Sequence, residues 1–382
     1  MKIAVIGPTY PFVGGISHYN TELCRNLSKK HKLILISYKR RYPSFLYPGR
    51  DQIDKKSNKK IKIDNVEYIL DTINPITWIK AFLRIKEENP DLLIFHWVTP
   101  FMVPMFLTIF FFVKKLTKTK ILGICHNVLP HERTALDLFL ARLVFRNVDY
   151  FIIQSREDFA KLKEIVSRFK AIRYNPHPIY DVFIFQDLPK DEARRILDLP
   201  AKAKVILFFG YVRKYKGLMY LIRAIPKILE KMPNVQLLIV GEFWEDKEKY
   251  VKEIKRLGIG NNVSIIDKYV PNEEVGLYFS AADVVVLPYI SATQSGVVQI
   301  AYAFNKPVIT TNVGGLPDVV ENNKTGIIVE AKNSQKLAEA IITYFEQNKE
   351  KKLKKIIQKT KWKFSWEYLE KKIESMSNYG MA

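Results

Sequence analysis

The feature that most constrains this chain is an alternation that runs through it twice. Short, β-branched apolar runs are separated by helix-length amphipathic segments. In the first half the runs occupy 3–6, 33–37, 66–70, 92–95, 120–125, 150–154 and 171–174. In the second half they occupy 205–209, 235–240, 263–266, 284–287, 307–310 and 326–329. Runs this short and this continuously apolar suit strands buried on both faces, and helices between them supply the cover of a parallel sheet. The sequence Asn175-Pro176-His177-Pro178 breaks regular structure between the two series, which places a linker near 176–188. The expectation is an α/β protein of two Rossmann-like, doubly wound domains facing each other across a cleft. We expect a first domain over 1–180, a second over 181–355 and a helical tail over 356–382. Trp362, Phe364, Trp366, Tyr368 and Leu369 in the tail need burial, either back on the first domain or on the second. A length of 382 residues suits two domains.

Doubly wound sheets bind ligands at the carboxyl ends of their strands, so the loops there are the places to look. Gly14-Gly15 follows the first run and precedes a helix, where backbone amides can approach a phosphate or sugar closely, although Gly-Gly before a helix also serves as a plain turn. The pattern is not GxGxxG, so a dinucleotide is not indicated. Gly210 opens a second glycine loop, Gly210-Tyr211-Val212-Arg213-Lys214-Tyr215-Lys216-Gly217, at the end of the first strand of the second series. Arg213 and Lys216 are cations placed to hold a diphosphate and to stabilise charge on a leaving phosphate. Gly241 and Glu242 end the next strand and are candidates to line a nucleotide pocket. A third loop, Thr293-Gln294-Ser295-Gly296-Val297-Val298, turns into an apolar helix whose opening amides form an anion site without side chains. Cys125-His126-Asn127 and His131-Glu132 put polar groups at the end of another strand. Sugar hydroxyls suit His126 better than a metal, because no characteristic zinc spacing is present.

Charge narrows the partners. The formal net charge is +22, with dense stretches at 39–62 and 349–363. No nucleic-acid motif accompanies it, so no nucleic acid is expected. The first stretch also holds Tyr42, Phe45, Leu46 and Tyr47, and basic plus aromatic residues in one loop suit an anionic membrane face. The longest apolar stretch, 92–113, is interrupted by His96, Pro100 and Pro104. It reads as a buried strand, a turn and an apolar helix, since a spanning helix needs about 20 apolar residues. The run at 1–6 reads as a first strand and not as a secretory signal. Cys24 and Cys125 read as buried thiols in a reducing compartment.

Together these residues resemble the retaining glycosyltransferases of family 4, the glycosyl transferases group 1, which have the GT-B fold. The resemblance spans nearly the whole chain. It is carried by Gly14-Gly15, His126, Arg213 with Lys216-Gly217, Gly241, Ser295-Gly296, and Gly314-Gly315-Leu316-Pro317-Asp318-Val319-Val320 followed by Thr325-Gly326. It implies a metal-independent hexosyltransferase with a nucleotide-diphosphate sugar, UDP- or GDP-linked, as co-substrate and no further cofactor. His126, Arg213 and Lys216 are then the catalytic candidates. Gly14, Gly15, Gly210, Gly241, Glu242, Thr293, Ser295, Gly296, Val297 and Val298 are the donor-binding candidates. Three positions depart from the family. Its pair of glutamates around the Gly296 turn falls on Thr293 and Ala301, and its arginine after the glycine falls on Tyr211. The expected acceptor is a lipid-linked sugar or surface polysaccharide. The expected location is cytoplasmic, peripheral on the inner face of the cell membrane through 39–62. The rival readings are a non-catalytic binding or partner subunit of the same fold, and a nucleotide-sugar epimerase.

Overall fold

Every apolar run forms a strand. The computed structural model describes residues 1–43, 47, 50–129, 135–166, 171–186 and 188–378. The first sheet contains β1 (Lys2–Ile6), β2 (Lys32–Arg40), β3 (Val66–Asp71), β4 (Leu92–Trp97), β5 (Lys120–Cys125), β6 (Tyr150–Ile153) and β7 (Ala171–Tyr174), in the order β3-β2-β1-β4-β5-β6-β7. The second contains β8 (Lys204–Phe209), β9 (Val235–Val240), β10 (Val263–Ile266), β11 (Val284–Leu287), β12 (Val308–Thr311) and β13 (Gly326–Val329), in the order β10-β9-β8-β11-β12-β13. All neighbouring strands are parallel. In each sheet the chain winds outward from its first strand and then returns to the opposite side. The switch points therefore lie between β1 and β4 and between β8 and β11, where such sheets open a crevice.

Contacts divide the chain into two units: 1–55, 60–176 and 366–382 in one, and 56–59 with 177–365 in the other. A shared device sets the strand starts. Asp91, Asp149 and Asp283 each stand one residue before a strand. Each accepts the backbone N–H of an adjacent strand's residue: Lys2 at 2.8 Å, Ile121 at 2.8 Å and Val205 at 2.7 Å. In the second unit Asp283 also holds Arg194 at 2.8 Å and Lys190 at 2.6 Å, which bolts α6 (Lys190–Ile196) to the sheet. A buried carboxylate is tolerated because every oxygen has a donor.

In the first unit the apolar stretch at 92–113 resolves into β4 and α3 (Val103–Leu116). Phe106, Ile109 and Phe110 on α3 are fully buried. The Phe110 ring meets Phe95 of β4 edge-on at 4.8 Å, a pairing that adds about 0.5–1.5 kcal/mol beyond area burial. Among the described residues no helix is long and apolar enough to cross a membrane. The chain's last helix, α14 (Trp366–Asn378), belongs to the first unit, and α13 (Lys349–Thr360) to the second. Leu369, Ile373 and Met376 recur at spacings of four and three on α14 and are fully buried. Each such side chain contributes about 1.5–3 kcal/mol by leaving water.

Candidate functional site

The second unit gathers three loops at the carboxyl ends of β8, β9 and β11. They are laced by backbone hydrogen bonds: Gly210 N–H to Val240 O (2.9 Å), Val212 N–H to Glu242 O (2.9 Å) and Ile290 N–H to Tyr215 O (2.7 Å). Two glycines make that lacing sterically feasible. Gly241 has φ +147°, and a Cβ there would stand 2.2 Å from the Gly210 carbonyl oxygen. Gly210 has φ +98°, and its Cβ would stand 2.9 Å from the Lys216 ammonium. Both positions need a residue with no side chain.

Lys216 ends a short 3-10 turn (Lys214–Lys216) and is 8% exposed. Its Nζ lies over the Tyr289 ring, 5.7 Å from the centroid. No carboxylate or other acceptor among the described residues pairs with it. Burial, reinforced by the nearby Arg213 guanidinium, pushes its pKa down to about 7. Arg213 is exposed and also lacks a carboxylate partner among the described residues. Its guanidinium is flanked by the Tyr215 ring at 5.3 Å and the Trp244 ring at 5.5 Å. Trp244 is held in turn: its indole N–H donates to Glu242 at 3.0 Å, and it packs on Tyr211 with centroids 4.3 Å apart. Tyr211, at the family's arginine position, is thus part of the aromatic stack that orients Arg213.

The third loop leads into α10 (Gly296–Ala303). Ser295 is its N-cap residue but makes no side-chain capping bond, and its hydroxyl lies 3.2 Å from the Tyr289 hydroxyl. One tyrosine therefore underlies Lys216 and holds the start of α10. The Val297 Cγ2 is 3.6 Å from the Cβ position of Gly210, which closes the patch. The first N–H groups of such a helix lack intrahelical acceptors and attract anions. Val298 has its side chain buried and can offer only backbone. The Thr293 carbonyl is taken by the Gly315 N–H at 3.1 Å, which docks the Gly314-Gly315 turn against this loop. Gly210, Arg213, Lys216, Gly241, Glu242, Thr293, Ser295, Gly296, Val297 and Val298 thus share one sheet end.

Gln299 escaped the sequence reading. It is fully buried on α10, and neither end of its amide has a hydrogen-bond partner among the described residues. A buried primary amide with both ends open costs stability. A lone amide in the apolar run Val297-Val298-Gln299-Ile300-Ala301 was the available signal. Ala301, at the family's second glutamate position, is fully buried.

The remaining candidates lie in the first unit. Gly14 is the N-cap of α1 (Gly15–Leu27) with φ +104°, and the Cβ positions of Gly14 and Gly15 meet nothing within 4 Å. That open surface at a helix start can accept a ligand's oxygen atoms. His126 follows β5 and is buried. Its Nε2 lies 2.9 Å from His96 Nδ1, and His96 Nε2 lies 2.7 Å from Asn20 Oδ1. The Asn20 amide N–H₂ donates to Pro8 O, which turns Oδ1 towards His96. The tautomers then follow in order: His96 carries its proton on Nε2, His126 donates from Nε2, and Nδ1 of a neutral His126 is an acceptor. Tyr19 packs edge-on to both imidazoles at 5.7 and 5.0 Å. Sequence reading singled out His126 but not His96 or Asn20, which come from other strands and helices. His131 and Glu132 lie outside the described residues, as do Phe45 and Leu46 of the basic loop.

Two doubly wound parallel sheets in one chain, of seven and six strands, constitute the GT-B architecture. Over 99% of its length the chain superimposes on HepE of Anabaena, solved with UDP and glucose (19% identity, 100% of that chain, TM-score 0.76). It matches sucrose-phosphate synthase of Thermosynechococcus elongatus similarly (20% identity, 98% of that chain, TM-score 0.74). At such identities the likeness is one of fold. In sequence, residues 189–362 match the family model described as Glycosyl transferases group 1. Curated relatives include a D-inositol 3-phosphate glycosyltransferase of Corynebacterium jeikeium, 32% identical over 205 residues (51% of this chain, 48% of the relative). Another is an uncharacterized glycosyltransferase of Methanocaldococcus jannaschii, 34% identical over 146 residues (38% and 36%). The chain spans about half or less of the length of these relatives.

Proposed function

We propose that the protein is a retaining, family 4 hexosyltransferase that takes its sugar from a nucleotide-diphosphate donor. The observation that carries this reading is the pair Lys216 and Arg213, cations without an acceptor among the described residues, beside the open start of α10. Burying an ammonium costs free energy unless an anion compensates it, and a diphosphate supplies that anion. In the reaction the bond from the anomeric carbon to the diphosphate oxygen breaks, and its electron pair leaves on the diphosphate. The acceptor oxygen forms the new bond, and its proton passes to the released diphosphate or to water. Lys216, Arg213 and the Gly296–Val297 amides receive the developing negative charge. They supply the compensation that a divalent ion gives in other transferases, so the proposed chemistry is metal-independent. Gly241, Glu242 and Gln299 are assigned to the nucleoside, and Thr293 to the donor sugar. His126, with Gly14 and Gly15, is assigned to the sugar and acceptor end, the Nδ1 atom accepting a hydroxyl proton in a hydrogen bond.

HepE binds UDP and glucose, so UDP-glucose is the first donor to test, ahead of GDP-linked sugars. A lipid-linked or polysaccharide acceptor, met at the cytoplasmic face of the membrane, remains our reading of the 39–62 segment. Lys39, Arg40, Lys55 and Lys56 keep exposed side chains there. Ser57, Asn58 and Lys59 are engaged with Asn272 and Glu273 in the second unit, so the membrane-facing part lies outside those three residues. Salt-sensitive binding to anionic vesicles tests that part separately. The central test is transfer and hydrolysis of radiolabelled UDP-glucose by the wild type and by the double variant Arg213→Ala, Lys216→Ala. Equal rates would end the catalytic reading and favour the binding-subunit alternative.

A further inference from the structure

Far along the chain from the donor loops, the first unit gathers three potential metal ligands that the sugar-transfer reading does not use. His31 lies in the turn between α1 and β2, and Glu370 and Glu374 lie on α14. A spacing of four residues puts both carboxylates on one helix face. His31 Nε2 stands 3.5 Å from Glu370 Oε1 and 3.2 Å from Glu374 Oε1, and the three atoms lie within 4.8 Å of one another. A tetrahedral zinc ion with ligands at about 2.0–2.2 Å separates neighbouring donor atoms by about 3.3–3.5 Å, close to the two spacings seen.

Burial marks the cluster as a constructed corner. The His31 and Glu370 side chains are 6% and 4% exposed. His31 Nε2 and Glu370 Oε1 are buried and make no hydrogen bond of acceptable geometry among the described residues. Lys30 takes the other Glu370 oxygen at 3.1 Å, which turns Oε1 into the gap. Glu374 is 35% exposed, so a fourth position can be filled by water from that side. Two carboxylates and a neutral imidazole match a divalent charge, whereas without an ion both carboxylates compete for one imidazole proton. The imidazole nitrogen selects a zinc-like transition metal over calcium or magnesium, which prefer oxygen alone. His31 Nδ1 lies 3.4 Å from the Met1 amine, which donates to it as an ammonium and can accept the ring proton only as a free amine once a metal holds Nε2.

We propose that His31, Glu370 and Glu374 form a divalent transition-metal site that clasps α14 to the α1–β2 corner. The test uses the full chain, stripped with chelator and then titrated with Zn²⁺, alongside Glu374→Gln and His31→Ala. We expect one Zn²⁺ per chain in a chromogenic chelator competition, and tetrahedral-type visible absorption when Co²⁺ replaces it. Thermal unfolding should shift upward by several degrees with Zn²⁺, about 3–8 °C at saturating metal, and not with Mg²⁺. Glu374→Gln removes a half-exposed carboxylate, so it should unfold like the stripped wild type while losing both the metal and the shift. The proposal is overturned if stripped wild type takes up no Zn²⁺, or if Glu374→Gln binds it with unchanged stoichiometry and affinity. Should His31→Ala fail to fold, Glu374→Gln decides alone.

Discussion

At the carboxyl ends of its strands the first unit places Asn20, His96 and His126 in a relay with spacings of 2.7 and 2.9 Å. The second unit places Lys216 and Arg213 against aromatic rings, with no acceptor for either among the described residues. The first cluster is paired and fixed in orientation before any ligand arrives. The second carries uncompensated charge, and the low pKa of Lys216 records what burial costs its charged form. A paired polar chain orients a group, whereas unpaired cations await an anion. In the proposed function this contrast is the reason for giving the diphosphate to the second unit and hydroxyl recognition to the first.

The largest effect should come from Lys216→Met, which keeps the apolar stem and removes the charge. Transfer from UDP-glucose should fall by about 10²–10³-fold, the loss typical of a donor aimed at developing charge. Activity retained within a few fold would break the contrast. His126→Ala should lower transfer by about 10²-fold while leaving UDP affinity within a few fold, read as kcat against Kd by calorimetry. A collapse of UDP affinity in that variant would mean that the first cluster also serves the diphosphate. Arg213→Ala should weaken UDP binding by roughly tenfold or more through loss of a charge-assisted contact. Trp244→Ala should do part of the same, since it removes one wall of the guanidinium sandwich.

A pH series sharpens the same point. Lys216 is lowered to about 7, so above neutrality the empty site holds a neutral amine and must take up a proton to bind diphosphate. UDP affinity should therefore weaken by roughly tenfold between about pH 6.5 and about pH 8.5, and stay nearly flat in Lys216→Met. The linked stability effect has the opposite sign. Between the folded and unfolded lysine values the unfolded chain binds more protons, so stability of the empty protein rises with pH in that window. The smallest effect belongs to Gln299→Leu, which removes a buried amide with no partner. It should leave stability unchanged or raise it by about 1 kcal/mol, and weaken donor binding only a few fold. Unchanged UDP affinity would make Gln299 a structural residue.

Much of this protein is readable from local pattern. The central strands read as short apolar runs because a strand buried on both faces has no polar side to interrupt it. Gly210 and Gly241 stood out because a backbone approach of the Gly210 carbonyl to the Cβ position of Gly241 leaves room for nothing larger. Arg213 and Lys216 stood out because they are cations at a strand end. Asn20, His96 and Gln299 did not, since each looks in sequence like an ordinary helix or strand residue. Their meaning depends on partners 76 and 30 positions away along the chain for His96, or on having none for Gln299.

The sequence alone therefore determined the two parallel sheets, the glycine loops and the identity of the cations. These follow from side-chain periodicity and backbone sterics, which act over a few residues. Only the tertiary structure decided that Tyr289 underlies both Lys216 and Ser295, that Trp244 and Tyr215 flank Arg213, and that α14 meets His31. The contacts of Lys216 with Tyr289, of Arg213 with Trp244 and of His31 with α14 join segments far apart in the chain. Whether a charged group is paired or left waiting is set by which distant neighbours the packed fold brings to it.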